Sequence, residues 1–493
     1  MTTRSSYSLL SLLGGTAIVA LVISLPTTIS AKPSKEIAQI AILRTVQINT
    51  PLLPGGSGIL IGKQGNTYMV LTANHVVKRP DLPYTIRTNL GKEYPAQIQR
   101  LKSNSNSPDL AVVTFVSSDN YPTATVGDSD QAVIGSEIYV VGYPAVGGLS
   151  GAERDLEFTQ GIVTSRPQNR PQDYTLRYNA VTRGGMSGGP VFDSDGRVIG
   201  IHGQGDVEGS FQTESGGSIA VKTGFNSAIP INTFLAVRSQ FGQSAPKAEV
   251  DNTPSTDNPQ QRLNNPQSAS DYTARGAVRQ EQGNKQGAVE DFNKAISLGS
   301  NNALTYVNRG VIRYNQGDMQ GANEDFTQAI SFAPDYALAY LNRGLARQIL
   351  KDYQGMLEDS EKYVSFNPSD PVAFNNRASA RAALGDRQGA LADLTEAIRL
   401  EPKLITAYNN RAILRRRMGE REGAIEDLSQ ILRLDPNNAT AYFNRGLVRR
   451  DVGNREGAIE DLQKAADLFQ QKGDTSNYQT AQEKIQSIQA TLK

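Results

Sequence analysis

Arg183-Gly184-Gly185-Met186-Ser187-Gly188-Gly189-Pro190-Val191 sets one serine among four glycines directly before a strand-like segment, and this stretch decides the reading of the first half of the chain. Glycine tolerates the tight backbone such a turn needs. A serine hydroxyl is a weak nucleophile near neutral pH. It becomes effective when a base takes its proton and backbone N–H groups face the oxyanion that develops on the attacked carbonyl. The N–H groups of Gly185 and Ser187 are the candidates for that second task.

The base must be sought among two histidines, His75 and His202, the only ones in the 493 residues. His75 ends the apolar run Val70-Leu71-Thr72-Ala73-Asn74-His75. Asp109, in Ser107-Pro108-Asp109-Leu110-Ala111-Val112-Val113, opens another such run. A carboxylate there suits burial behind His75, where it would fix the imidazole tautomer and stabilise its charged form. The chain has no cysteine, which excludes thiolate catalysis and Cys-ligated zinc, and two histidines do not make a His-rich metal site. The chemistry needs neither metal nor organic cofactor, and none is expected.

Residues 38–241 carry short β-rich segments separated by Gly, Pro, Asn and Asp: Ser57–Gly62, Tyr68–Ala73, Leu110–Val116, Glu137–Gly142, Glu157–Thr164 and Arg197–Gly203. Asp195-Gly196 between two of the apolar runs signals a hairpin. This region resembles the trypsin-like (chymotrypsin-fold) serine peptidases in the order His75, Asp109, Ser187 and in the residues flanking each. The resemblance implies an all-β double barrel with His75, Asp109 and Ser187 as catalytic residues. Met186 stands where animal digestive relatives have an acid that pairs with a new N-terminus, so activation by that ion pair is not expected.

A narrower resemblance, to bacterial glutamyl endopeptidases, rests on Gly142-Tyr143-Pro144, Thr182 and Ile199-Gly200-Ile201-His202-Gly203. It implies that Thr182 and His202 contact an acidic side chain of the substrate, since a hydroxyl and a neutral imidazole N–H both donate to carboxylates. His202 as a packed histidine beside the pocket is the competing reading, and Gln204 stands where relatives often have an aromatic residue. Arg183 either adds positive charge or points to solvent. Gly55-Gly56-Ser57-Gly58 and Phe158-Thr159-Gln160-Gly161 also resemble bacterial housekeeping peptidases of other preference.

The second half repeats every 34 residues. Tyr272, Tyr306, Tyr340, Phe374, Tyr408 and Tyr442 mark six units, each with an Arg three positions on (Arg275, Arg309, Arg343, Arg377, Arg411, Arg445). Small residues recur where two helices must approach, and Pro334, Pro368, Pro402 and Pro436 stop the second helix of their units. The region resembles the tetratricopeptide repeat family, which implies an all-α solenoid over 271–474 with a capping helix at 475–493. Unlike typical members, it carries an Arg ladder, and each unit has an Asp (Asp291, Asp325, Asp359, Asp393, Asp427, Asp461) at a matching point of its second helix. Two readings stand: Arg and Asp pair between helices, or the Arg residues line a groove for anions. Asn308, Asn342, Asn376, Asn410 and Asn444 fall where related repeats contact a peptide, so a peptide groove and a protein partner are expected.

Residues 1–31 have a secretory signal layout: Arg4, an uncharged stretch Leu9–Leu25, and small residues up to Ala31. Cleavage after Ala31 is expected, and a membrane is involved only if the segment stays uncleaved. Residues 242–270, rich in Asn, Gln, Pro and Ser, are expected to be a flexible linker. The net charge of +1 gives no electrostatic footprint for nucleic acid. The whole predicts an exported serine endopeptidase, periplasmic or secreted, acting on proteins or peptides. The alternative is a repeat scaffold whose peptidase-like domain only binds.

Overall fold

The computed structural model describes residues 32–490 apart from 52, 102–106, 146–153, 169, 213–217 and 242–247. Residues 1–31, expected above to be a secretory signal, lie outside the described residues. A first helix, α1 (Ser34–Ile42), tucks Ile37 and Ala41 into the core of a seven-stranded antiparallel sheet. Its strands are β1 (Thr45–Thr50), β2 (Leu53–Gln64), β3 (Thr67–Ala73), β4 (Thr85–Arg87), β5 (Glu93–Pro95), β6 (Gln97–Arg100) and β7 (Leu110–Val116), in the order β5-β4-β1-β2-β3-β7-β6. The two edge strands follow one another in the chain, so the sheet rolls into a barrel. The interior strand β3 reads Tyr-Met-Val-Leu-Thr and is buried on both faces.

The register of β3 with β7, from Thr67 opposite Val116 to Ala73 opposite Leu110, has a direct consequence. It brings the residues after Ala73 alongside the residue before Leu110, and so places His75 at Asp109.

The second sheet contains β8 (Thr125–Val126), β9 (Glu137–Gly142), β10 (Glu157–Ser165), β11 (Leu176–Asn179), β12 (Pro190–Asp193), β13 (Val198–Gln212), β14 (Ser218–Pro230) and β15 (Glu249–Val250). Its order is β12-β9-β10-β11-β14-β13-β8-β15, and β12 also pairs with β13, closing six strands into a second barrel. Asp195-Gly196 turns the β12–β13 hairpin, with Gly196 at φ +79°. A short helix, α2 (Ile231–Val237), follows, and its Phe234 packs into the shared core.

Where a flexible linker was expected, residues 248–268 are packed on the second barrel. Arg197 donates to the Thr253 side chain at 2.9 Å, Asp257 accepts from the Glu137 N–H at 2.7 Å, and Arg262 of α3 (Pro259–Asn264) pairs with Asp257 at 2.8 Å. Sparse apolar content hid this attachment, which is made by the pairing of β15 with β8, by polar side chains at the barrel edge and by Leu263 packed near Ile162.

Six helix pairs follow: α4 and α5 (Ala269–Glu281, Lys285–Ser297), α6 and α7 (Ala303–Asn315, Met319–Phe332), α8 and α9 (Ala337–Ile349, Tyr353–Phe366), α10 and α11 (Pro371–Ala383, Arg387–Leu400), α12 and α13 (Ile405–Met418, Arg421–Leu434), and α14 and α15 (Ala439–Asp451, Arg455–Gln471). α16 (Thr475–Ala490) closes the stack. The chain is thus an all-β double-barrel trypsin-like domain followed by a tetratricopeptide solenoid. In most units an Asn or Asp caps the second helix by accepting the N–H of a glycine three residues on, as Asp318 does from Gly321 at 2.9 Å.

The Arg ladder resolves as ion pairs. Each repeated Asp is buried and receives two guanidinium groups one helical turn apart. Asp359, whose side chain is 2% exposed, accepts from Arg343 at 2.7 Å and from Arg347 at 2.9 Å. The anion-lined groove is therefore not formed by these arginines, because burial of the Asp requires both charges.

The asparagines divide as well. Asn308, Asn342 and Asn376 are 0%, 1% and 3% exposed and line no open groove, whereas Asn410 and Asn444 are half-buried and bridge to Asn375 and Asn409 of the preceding unit. The leading helices α4, α6 and α8 pack against β10 and β14.

Asp359→Ala leaves two partly buried guanidinium groups without their carboxylate and is expected to cost about 3–5 kcal/mol in urea unfolding followed by far-UV circular dichroism. Glu358→Ala, on the exposed side of the same turn, is expected to change stability by less than about 0.5 kcal/mol.

Candidate active site

His75 lies in a single 3-10 turn, Asn74–Val77, that follows β3. Its Nδ1 is 2.6 Å from Asp109 Oδ2, and its backbone N–H donates to Oδ1 at 2.9 Å. A carboxylate only accepts, so Nδ1 carries the hydrogen and Nε2 is left as a proton acceptor. Asp109 is 5% exposed and takes a further hydrogen bond from the Tyr174 hydroxyl at 2.6 Å. Burial raises the Tyr174 phenol well above its ordinary range, so it remains a donor.

Ser187 sits between Gly185 at φ +93° and Gly188 at φ +83°. A Cβ on Gly188 would stand 2.0 Å from Thr72 Oγ1 and 2.4 Å from the Ser57 carbonyl oxygen, so the turn tolerates only glycine there. Among the described residues neither the Gly185 nor the Ser187 N–H donates to a backbone acceptor. Both remain available to a developing oxyanion. The Ser187 hydroxyl is directed to the Gly203 carbonyl at 3.4 Å rather than to His75.

The turn is held from below by Ser57, whose hydroxyl donates to the Gly185 carbonyl at 2.9 Å and accepts the Tyr143 N–H at 2.8 Å. Arg154, 6% exposed, reaches the carbonyls of Tyr143 and Gly56 at 2.8 and 3.0 Å and Asn49 Oδ1 at 2.9 Å. Burial lowers its pKa to about 10. Even so, it stays charged at neutral pH beside the Gly185 peptide.

Thr182, His202 and Ser187 line one cavity of about 240 Å³, so the structure does bring the specificity candidates together. Their hydrogen bonds differ from the expectation. Thr182 Oγ1 donates to Asn226 Oδ1 at 2.6 Å, while Asn226 Nδ2 donates to the Ala180 carbonyl at 2.8 Å and so fixes the amide's orientation. The threonine's hydrogen is already committed.

His202 is 3% exposed, and its Nδ1 is 2.6 Å from the Tyr178 hydroxyl. Burial raises the Tyr178 phenol well above its ordinary range, so it keeps its hydrogen and donates to Nδ1, leaving His202 Nε2 as an N–H donor. Burial, with a smaller contribution from His75, lowers the His202 pKa to about 3. Arg183 neither stays free nor points to solvent. It pairs with Glu157 and with Asp335, the latter at 2.6 Å, and desolvation raises the Glu157 pKa despite that partner.

Sequence reasoning missed Ser57 as a hub, Arg154, Tyr174, Tyr178 and Asn226. Ser57 offered a signal, as a lone hydroxyl within Gly55–Gly58. The two tyrosines offered none, since their partners are set by strand register.

Residues 56–201 match the trypsin-like peptidase domain family, and residues 303–336 and 439–472 match the tetratricopeptide repeat. Among curated proteins, a probable periplasmic serine endoprotease DegP-like of Halomonas elongata is 33% identical over 189 residues, covering 38% of this chain and 35% of that protein. A protein of the same description from Marinomonas sp. is 32% identical over 189 residues, with the same coverage. The chain thus spans about a third of the length of these curated relatives, 35% in each case. Among solved structures, an HtrA-type protease with a decapeptide is 22% identical over 44% of this chain and 68% of that one, with a TM-score of 0.33.

Because His202 is held neutral in the fold, stability that is fully present above its ordinary pKa of 6.5 should be lost as pH falls from there toward about 3. The unfolding free energy of the wild type, measured against His202→Gln, is expected to fall by about 1.4 kcal/mol per pH unit across that window.

Proposed function

We propose that the chain is an exported serine endopeptidase. The observation that carries this reading is the buried Asp109 carboxylate, 2.6 Å from His75 Nδ1, on an edge that meets a glycine turn presenting Ser187 beside two unpaired N–H groups. Ser187 Oγ attacks the substrate carbonyl carbon as His75 Nε2 takes its proton. The carbonyl oxygen, now anionic, is held by the N–H groups of Gly185 and Ser187. His75 returns the proton to the leaving amine, and the acyl-serine is hydrolysed by water that His75 deprotonates in turn. Asp109 keeps the imidazole oriented and stabilises its charged form throughout.

Export is supported by the signal layout of residues 1–31 and by the periplasmic description of the relatives. The residue preceding the scissile bond is proposed to be Glu. His202, itself buried, supplies one N–H donor to a pocket whose described lining holds no carboxylate. Thr182 shapes that pocket without donating to the substrate in the conformation seen.

The test is cleavage of a denatured protein mixture by residues 32–493 and by the same chain carrying Ser187→Ala, with mass spectrometry reading each cut. Cuts that require Ser187 and fall mainly after Glu are expected. Asp109→Asn is expected to lower kcat about 10⁴-fold, by imposing the wrong imidazole tautomer. Identical patterns from the wild type and Ser187→Ala would remove the peptidase reading, and serine-dependent cuts elsewhere would remove only the Glu preference.

A further inference from the structure

The cavity that begins at Ser187 is not closed by the barrel. Its opposite wall comes from the third helix pair: Tyr336 and Leu338 at the start of α8, Tyr363 near the end of α9, and Asn367 just beyond it. Asn367 Oδ1 lies 3.6 Å from the point where a Cβ on Gly184 would stand, next to the proposed oxyanion turn. Its Nδ2 is bound to the Tyr363 carbonyl at 3.3 Å, so the amide has a defined direction.

This wall is fixed in place. Arg183 donates from Nε to the Asp335 carbonyl at 3.2 Å and from Nη2 to its carboxylate at 2.6 Å, immediately before Tyr336. Val181 packs against the apolar cluster of α6 and α7, and Ile162 of β10 packs with Ala274 and Val278 of α4. Arg177 and Ser165 both reach Glu281 at the end of α4. The third unit also leaves the active-site cleft open, since the His75 side chain remains 37% exposed. The contact therefore forms a wall of the pocket rather than a lid over the nucleophile.

We propose that the third tetratricopeptide unit is a specificity element of the peptidase, forming with Thr182, His202 and Asn226 the pocket for the side chain that precedes the scissile bond. This rests on the peptidase reading above. The pocket would take a polar or acidic side chain: among the described lining residues there is no carboxylate to receive Lys or Arg, and the guanidinium of Arg183 is already paired. The unit acts on substrate choice through Asn367, whose amide faces Gly184.

The test uses the full chain and the ratio of kcat/KM for two peptides that differ only in Glu or Lys before the cleaved bond. That ratio does not depend on how much of a variant is active. Asn367→Lys is expected to raise the Glu-to-Lys ratio, and Asn367→Asp to lower it, each by about tenfold or more, as a unit charge a few ångströms from the substrate charge requires at an interior effective dielectric near 20. Asp435→Lys, at the matching position two units further on, is expected to leave the ratio within about twofold. Serine-dependent cleavage with the same ratio in all four proteins would overturn the specificity role while leaving the peptidase reading intact. Absence of cleavage by the wild type would overturn both.

Discussion

Ser57 lies where the two barrels and the glycine turn meet. Its backbone N–H donates to the Ser187 carbonyl at 2.9 Å, its carbonyl accepts from Thr72 at 2.7 Å, and its hydroxyl spans Gly185 and Tyr143. No side chain larger than hydrogen fits at Gly188 against this centre, and a Cβ on Gly56 would lie 2.9 Å from the Ser187 carbonyl oxygen. Ser187, although it belongs to the second barrel, is thus positioned by the first. That same barrel carries His75 and Asp109. One strand register sets His75 against Asp109, and one close backbone approach sets the glycine turn of Ser187 against the first barrel.

The repeats extend this constraint outward. A solenoid normally offers its leading helices to a ligand, but here those of the first three units are occupied by β10 and β14. The Arg–Asp–Arg ion pairs explain how such a surface is kept stiff. Each unit buries a carboxylate that two partly buried guanidinium groups must neutralise, and in most units the first of them also lies over an aromatic ring, as Arg343 does over Tyr340 at 5.7 Å. A stiff third unit is what allows Asn367 to hold a fixed place near Gly184. A loosely tethered array would raise local substrate concentration but could not shape a pocket.

Much of the fold was legible from periodicity. The 34-residue repeat announced two helices per unit, and the alternation of apolar runs with Gly, Asn and Asp announced short strands. Ser187 stood out because it lies among glycines directly before a strand, His75 because the chain has only two histidines, and Asp109 because it is a carboxylate that opens an apolar run. What lay beyond the sequence depends on register and on docking between domains. Tyr174 reaches Asp109 across 65 residues, and nothing local marks it. The attachment of residues 248–268 rests on Thr253, Asp257 and Arg262, polar residues whose composition suggested free chain. Asn308 and Asn342 looked like groove residues because the barrel that covers their helices is absent from any reading of the repeats alone.

The central claim is that Ser187 is a nucleophile made reactive by His75 in the folded chain. Its most direct test is the intact mass of residues 32–493 after exposure to a fluorophosphonate, with peptide mapping of the adduct. The account predicts a single adduct, on Ser187, formed far more slowly in His75→Ala and not formed when the chain is unfolded in urea before exposure. A natively folded chain that takes up no adduct, or one labelled equally fast without His75, would contradict it.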